Sequence, residues 1–289
     1  MDYKKGDRIK HPTRDDWGLG EVLEVKSDKT VRVFFVGAGE KTLLSEHVTP
    51  TKVTGDAANH PILDNLRVTN SSTGVKYQSL GQSIQIFLER FPEGFYGEKF
   101  SAHERAYKEE AHDLAQELLS KEPLERLLQS EDYANIVSRA MKVLNRTNLV
   151  FPNEKMSLKD GLASTSNQKA FSKKLFSLLH GEEDLETSFM SFATFLEDID
   201  AAKWTTASYF LFITQPDKYM FVKPTITQHA ATLCAFEINY KPQLNWLTYN
   251  SVLSLSDYLF SEISELKPRD MIDVQSFMWC IAPGKYGAS

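Results

Sequence analysis

Short alternations of apolar and polar residues fill the beginning of the chain, from Gly6 to Val53. The runs R-I-K, E-V-L-E-V and T-V-R-V-F-F are separated by glycine, proline and charged residues. A two-residue period broken by frequent turn signals predicts a small, strongly bent antiparallel β-barrel over residues 1–53. The apolar residues expected to fill this barrel are Ile9, Val22, Leu23, Val25, Val31, Val33, Phe35, Leu43 and Val48.

The pattern changes after the barrel. Residues 54–78 are polar and interrupted by glycine and proline, with a short apolar pair at Ile62 and Leu63, which predicts a linker. From residue 79 apolar positions recur every three or four residues, so residues 79–289 are predicted to form a mainly α-helical domain. Ser101 and Glu104 have the spacing of a capping box at a helix start. The predicted helices cover residues 79–91, 101–119, 124–129, 132–144, 157–162, 168–180, 185–199, 227–238, 248–266 and 268–279.

One segment of the helical domain departs from this pattern. Residues 205–214 are rich in threonine, aromatic and aliphatic residues, and Pro216 and Asp217 precede a second apolar run. The segment is either a hairpin of two short strands or the end of a helix followed by one strand, and a hairpin at about residues 205–223 is favoured. The predicted fold class is therefore α+β and multidomain, with a small β-barrel followed by a mainly helical domain that carries one short β-hairpin.

Three sequence motifs in the barrel carry a resemblance to known families. They are G-D-R-I-K-H-P at residues 6–12, W-G-L-G-E-V at 17–22, and G-E-K-T-L-L at 39–44 followed by V-T-P-T-K-V. This region resembles the Tudor/SH3-like barrel at the C-terminus of UvrD/PcrA-type DNA helicases and a related small bacterial domain of unknown function. More loosely, it is similar to the RNA-polymerase-binding barrel of CarD-type regulators. The resemblance covers about a sixth of the chain and implies a docking module for RNA polymerase, another protein or nucleic acid.

The predicted binding face of the barrel combines one tryptophan with basic residues. An exposed tryptophan flanked by arginine and lysine is typical of the anchor residues of protein interfaces. The predicted face comprises Arg8, Lys10, Arg14, Trp17 and Lys41.

The distribution of charge limits where nucleic acid could bind. The 289 residues carry a net charge of −6, which argues against a chain that coats nucleic acid along its whole length. Residues 1–53 hold 10 basic and 9 acidic side chains, whereas residues 151–289 hold 12 basic and 16 acidic ones. Any DNA contact is therefore expected at the barrel. With no apolar leader or membrane-spanning stretch in the sequence, and two widely spaced cysteines, we expect a reduced, cytoplasmic protein.

No motif in the sequence indicates a catalytic, metal or cofactor site. The sequence G-A-G-E-K lies between predicted strands instead of opening a helix, so it is a turn and not a phosphate-binding loop. The sequence H-E-R-A-Y fails as a zinc motif because Tyr107 stands where the second histidine is needed. We expect His103 and His112 to have structural or solvent-facing roles, and no cofactor is predicted.

The last third of the chain concentrates aromatic and charged side chains. These residues frame either a ligand pocket or an aromatic core, and the sequence leaves both interpretations open. Arg269 can reach Asp273 on the same face of the last predicted helix, either as a structural clamp to the predicted hairpin or with its planar fork on an anionic ligand. The candidate pocket residues are Lys223, Tyr240, Trp246, Arg269, Asp270, Asp273 and Gln275.

Two functional hypotheses follow. The first is a non-enzymatic bacterial adaptor, whose barrel docks on RNA polymerase, a helicase or DNA while the helical domain recruits a second partner. The second is a DNA-associated defence or processing protein with a ligand or catalytic pocket in the last third of the chain. Residues 203–279 resemble, in general character, uncharacterised bacterial proteins from mobile or defence loci. No membrane partner is expected.

Overall fold

Five antiparallel strands form the N-terminal part of the protein. The computed structural model describes residues 3–27, 30–44, 46–64, 80–234 and 236–282. Neighbouring strands pair in the order β4–β3–β2–β1–β5, and every pair is antiparallel. This barrel-like sheet, called the N-terminal sheet below, confirms the predicted β character of the region. The strands are β1 (Arg8–Lys10), β2 (Leu19–Ser27), β3 (Thr30–Phe35), β4 (Gly39–Leu44) and β5 (Thr51–Val53).

The inner face of the N-terminal sheet holds most of the residues predicted to fill it. Gly20 is required here because a Cβ atom at this position would come within 2.6 Å of the Phe35 ring. Two predicted core residues are not fully buried, since Val25 is 41% exposed and Val48 is only partly buried. The buried residues of this inner core are Ile9, Val22, Val31, Val33, Phe35 and Leu43.

Part of the outer face of the same sheet is also buried. Leu19, Leu23, Phe34 and Val36 pack in one cluster with residues of the helical region. The prediction that Leu23 fills the barrel is therefore wrong, because alternate residues of a strand point to opposite faces and Val22 takes the inner position. The sheet is thus held between its own core and the helices.

The predicted linker is partly structured. A short helix, α1 (Pro61–Asp64), buries Ile62 and Leu63 in the cluster that joins the sheet to the helices. The rest of the predicted linker, residues 65–78, and the predicted start of the next helix at residue 79 lie outside the described residues. The described part of this segment therefore packs against the body of the protein.

Helices account for most of the chain after the sheet, as predicted. Their ends differ from the predicted ones by a few residues: α11 begins at Pro224, which suits the first turn of a helix because proline lacks an N–H. The helices are α2 (Leu80–Arg90), α3 (Glu98–Phe100), α4 (Ala106–Leu118), α5 (Lys121–Gln129), α6 (Tyr133–Asn145), α7 (Pro152–Gly161), α8 (Thr165–His180), α9 (Leu185–Asp198), α10 (Trp204–Thr214), α11 (Pro224–Leu233), α12 (Trp246–Glu262) and α13 (Met271–Cys280).

A π-helical turn, Ser101–Arg105, joins α3 to α4. The chain is already helical at Glu98, so Ser101 does not cap a helix start and the predicted capping box is wrong. The Glu104 side chain is instead buried inside the protein, at 3% exposure. Single π turns within helices frequently mark functional positions, because they reorient the side chains around the inserted residue.

The predicted hairpin at residues 205–223 is wrong. Residues 204–214 form helix α10, in which all eleven residues are buried. A helix surrounded by protein has no polar face, so its sequence lacks the helical period, and its threonine and aromatic residues favour a strand by propensity alone. The hydroxyl groups of Ser208 and Thr214 donate to carbonyl oxygens four residues earlier, each at 2.7 Å, which satisfies them inside the core.

Candidate functional site

Trp17 forms the centre of a small aromatic and basic patch on the N-terminal sheet. Its ring packs on Phe35, with ring centroids 5.2 Å apart, and is half-buried. The Arg14 guanidinium carbon lies 5.0 Å from the Trp17 ring centre, and the Lys41 ammonium lies 5.7 Å from it. Both distances suit cation–π contact. The structure thus brings together three of the five residues predicted for this face, here called the Trp17 patch: Arg14, Trp17 and Lys41.

Arg8 and Lys10 do not share the contacts of the Trp17 patch. The Arg8 guanidinium donates to Glu21 at 2.6 Å and to Asp64 at 2.7 Å, so it ties the sheet to α1. Lys10 is exposed at the end of β1. Arg8 is therefore better explained as a structural ion pair than as a binding residue.

Two of the predicted pocket residues belong to the packing of the helical region. Tyr240 and Trp246 are partly buried against its main cluster. The Trp246 ring lies 6.2 Å from the rings of both Phe189 and Tyr249. These contacts favour the interpretation of Tyr240 and Trp246 as core residues over that as pocket residues.

Three other predicted pocket residues join a buried ionic network with Arg105. Arg105 donates to Asp270 at 2.7 and 2.9 Å and to Asp273 at 2.8 Å. Arg269 donates to the same Asp273 carboxylate at 2.9 and 3.0 Å and to the Phe95 carbonyl oxygen at 2.8 Å. We call Arg105, Arg269, Asp270 and Asp273 the arginine–aspartate cluster.

The arginine–aspartate cluster has the properties of a structural clamp. Asp273 is fully buried, and Asp270 also caps α13 by accepting from the backbone N–H groups of Ile272 and Asp273. Burial acts to lower the pKa of Arg105, but the hydrogen bond to Asp270 and the charges of Asp273 and Asp270 outweigh it and raise that pKa. Arg105 therefore stays charged. Arg269 clamps the last helix to the segment at Phe95 and not to the predicted hairpin.

A separate cavity of about 290 Å³ opens beside this cluster. It lies where the π turn and α4 face α13, and the start of α11 and residues 148–149 complete its wall. Of the predicted pocket residues, Lys223 and Gln275 line it. We call it the Lys108 cavity, and its lining residues are His103, Glu104, Tyr107, Lys108, Asn148, Leu149, Lys223, Gln275 and Trp279.

A buried acid–base pair lines the inner end of the Lys108 cavity. Glu104 and Lys108 are 3% and 1% exposed, and the Lys108 Nζ atom lies 3.6 Å from a Glu104 carboxylate oxygen. Lys108 also donates to the Ser276 hydroxyl at 2.7 Å. Burial lowers the pKa of Lys108 to about 8 against the opposing charge of Glu104, and burial raises the pKa of Glu104. Desolvation thus destabilises the charged forms of both Glu104 and Lys108.

Two further side chains give the Lys108 cavity a polar interior and a positive entrance. Gln275 is 4% exposed, and its buried Oε1 atom has no hydrogen-bond partner in the part of the chain that the structure describes. Lys223 is half-buried, and its ammonium lies 4.8 Å from the ring centres of both Phe151 and Trp279. A buried acceptor without a partner costs about 1–3 kcal/mol, so this carboxamide calls for an explanation.

Sequence reasoning missed the inner residues of the Lys108 cavity, although a signal was present. Glu104, Lys108, Ala111 and Ala115 follow one another at intervals of four, three and four residues, so all four share one face of the helix. That face is buried at Lys108, Ala111 and Ala115. The continuation of this apolar stripe through two charged residues is the signal that could have indicated a buried pair.

Comparisons with known proteins reach only the N-terminal sheet. Residues 3–53 match the model of a family described as a protein of unknown function, DUF3553. No curated protein and no solved structure matches the chain. Among the residues that the structure describes, no group of three or more histidine, cysteine, aspartate or glutamate side chains could hold a metal ion. Within the same ranges, no helix is long and apolar enough to cross a membrane.

Proposed function

We propose that this protein is a non-enzymatic adaptor whose N-terminal sheet docks on a protein partner through the Trp17 patch. The observation that supports this proposal is the arrangement of Trp17, which rests on Phe35 and is flanked by Arg14 and Lys41. Because Trp17 already packs on the inner core of the sheet, its side chain loses little conformational freedom on binding. Trp and Arg are also enriched among the residues that contribute most to interface affinity. The helical region would supply the second interaction of the adaptor.

The charges around the Trp17 patch favour a protein over the backbone of DNA. Arg14 is paired with Asp16 at 2.6 Å, and Asp15 lies beside it in the sequence. Binding to the phosphate backbone rests on clustered basic residues, and the carboxylates beside Arg14 offset its positive charge. The resemblance of the region to UvrD/PcrA-type and CarD-type barrels makes bacterial RNA polymerase the first partner to test, and a UvrD-type helicase the second.

The test is a binding measurement with the full chain. Labelled protein would be titrated with purified bacterial core RNA polymerase, with a UvrD-type helicase and with duplex DNA. We expect Arg14→Ala and Lys41→Ala each to weaken protein binding, and Trp17→Ala to weaken it about tenfold or more. Lys26→Ala is the matched control, because this exposed lysine lies toward the opposite end of β2 from Trp17 and should leave binding unchanged.

Two outcomes would overturn the proposal. One is polymerase or helicase binding that is unchanged in the Trp17→Ala, Lys41→Ala double variant, which would remove the Trp17 patch from the interface. The other is binding to duplex DNA alone, with an affinity that falls steeply as salt is raised, which would make the partner a phosphate backbone. Melting curves of the variants would show that the sheet remains folded.

A further inference from the structure

The Lys108 cavity is a second candidate site that does not depend on docking by the N-terminal sheet. Its volume of about 290 Å³ lies at the lower end of small-molecule sites, which measure roughly 300–1,000 Å³. The cavity thus has the size for one small metabolite. It is not a gap between nonpolar side chains, since Glu104, Lys108 and Gln275 lie in its wall and are each less than a tenth exposed.

The inner end of the cavity presents hydrogen-bond acceptors that suit an uncharged hydrogen-bond donor. Gln275 Oε1 has no partner among the described residues, and it can accept an N–H or O–H group from a ligand in the cavity. Glu104 offers carboxylate oxygens, but Lys108 lies 3.6 Å away and offsets their charge. A neutral amino group suits this end better than a cation, because a cation would approach the Lys108 ammonium.

The walls and the entrance select different chemistry. Tyr107, Leu149 and Trp279 present flat or apolar surfaces on which a planar ring can lie. Lys223 adds positive charge beside Trp279 at the entrance, where its ammonium lies 4.8 Å from that ring centre. An anionic group would be stabilised there and repelled by Glu104 farther inside.

We propose that the Lys108 cavity binds a nucleotide whose base carries an exocyclic amino group, with that group donating to Gln275 Oε1 and the phosphate beside Lys223. The ring lies between Tyr107 and Leu149 in this arrangement. The same chemistry is present in a free mononucleotide and in the terminal nucleotide of a strand. Gln275 Oε1 then gains a hydrogen bond when the ligand binds.

The first test compares two ligands that differ at one position. AMP has an amino group at the position where IMP has a carbonyl oxygen, so at this position AMP donates a hydrogen bond to Gln275 Oε1 whereas IMP presents a second acceptor to it. We expect AMP to raise the melting temperature of the full chain and to bind about tenfold or more tightly than IMP in calorimetry. Equal binding of AMP and IMP, or tighter binding of IMP, would overturn the proposal. Failure of AMP, GMP and CMP to bind at millimolar concentration, together with failure of the single strand used below, would also overturn it.

The second test separates a binding role of Gln275 from a structural one. Gln275→Met removes an acceptor that has no partner, so we expect unchanged or slightly higher thermal stability together with at least about tenfold weaker AMP binding. Gln116→Met is the matched control: Gln116 donates to the Thr214 carbonyl oxygen at 2.6 Å, so its loss should lower stability and leave AMP binding intact. Lower stability of Gln275→Met with unchanged AMP binding would contradict the proposal.

A third measurement identifies the source of the nucleotide and checks the entrance. The protein is titrated with AMP and, separately, with short single-stranded oligoadenylate. Binding of either ligand supports the site, and the tighter ligand shows whether the nucleotide comes from a free mononucleotide or from a strand. Failure of both overturns it. Lys223→Met should weaken AMP more than adenosine, because only AMP carries the phosphate. A Trp17→Ala variant that loses its protein partner should bind AMP like the wild type, so the two proposals fail independently.

Discussion

Two buried polar clusters lie between the same two segments, the π turn with α4 on one side and α13 on the other. In the arginine–aspartate cluster, Arg105 donates to Glu109, Asp270 and Asp273, and the fully buried Asp273 also accepts from Arg269. In the Lys108 cavity, one to three residues away along each segment, the Lys108 ammonium is 3.6 Å from the Glu104 carboxylate, and Gln275 Oε1 has no hydrogen-bond partner among the described residues. A fully paired network holds two helices together, whereas an incompletely paired one leaves polar groups that can hydrogen-bond to a ligand.

Breaking the arginine–aspartate cluster should have the largest effect on stability. Arg105→Met would leave Asp273, which is 0% exposed, with only Arg269 as a charged partner. We expect the free energy of unfolding in urea to fall by about 3–5 kcal/mol, because the buried Asp273 loses one of its two arginines and Asp270 loses the arginine that donates to both of its oxygens.

The matched control for this prediction is a surface arginine. Arg126 pairs with Glu122 one helical turn away, and both side chains are at least 70% exposed. Arg126→Met should change the free energy of unfolding by less than about 0.5 kcal/mol. Equal losses for Arg105→Met and Arg126→Met would show that the buried cluster is not a clamp.

Replacing the pair in the Lys108 cavity should have the opposite sign. Glu104→Met combined with Lys108→Met removes two desolvated charges together and fills similar volume. We expect the double variant to be as stable as the wild type or more stable, by about 1–4 kcal/mol in urea unfolding near neutral pH. A loss of more than about 2 kcal/mol would show that this pair, like Arg105 with Asp273, holds the fold together.

The pH dependence of stability should reveal Lys108 directly. Its pKa of about 8 in the folded protein lies below the ordinary value of 10.5, so between these values the unfolded chain binds a proton that the folded protein does not. The free energy of unfolding therefore rises with pH across this window, by about 3 kcal/mol, and this gain is absent below the window, where both states bind the proton.

The Glu104→Met, Lys108→Met double variant is the reference for that measurement, because other groups titrate in both proteins. The difference in unfolding free energy between wild type and double variant should shift in favour of the wild type as the pH is raised through the window. Parallel curves for the two proteins would show that Lys108 keeps an ordinary pKa and that burial does not penalise its charge.

The smallest expected effect is at Arg269, which is 30% exposed at the edge of its cluster. Arg269→Lys loses the planar fork that reaches both Asp273 oxygens and the Phe95 carbonyl oxygen, so we expect a stability loss of about 1 kcal/mol and unchanged binding of AMP and of the protein partner. Unchanged melting temperature with lost binding would make Arg269 a ligand-binding residue instead.

Local patterns predicted the local structure well. The two-residue alternation around Val22 and Val33 led to the strands, and apolar spacing of three and four residues led to most of the helices, because each pattern reflects one buried face of one element. Where both faces of an element are buried, the pattern disappears. Helix α10 was therefore mistaken for a hairpin, and the outer face of the sheet at Phe34 was not anticipated.

The candidate site shows the same division. Sequence alone placed an arginine, two aspartates and a glutamine on the last helix and paired Arg269 with Asp273, because residues four apart on a helix are neighbours. It could not supply Arg105 or Lys108, whose partners Asp273 and Ser276 each lie 168 residues away. Contacts over such separations arise only when the helices pack, and the same packing decided which charges were paired and left Gln275 Oε1 without a hydrogen bond.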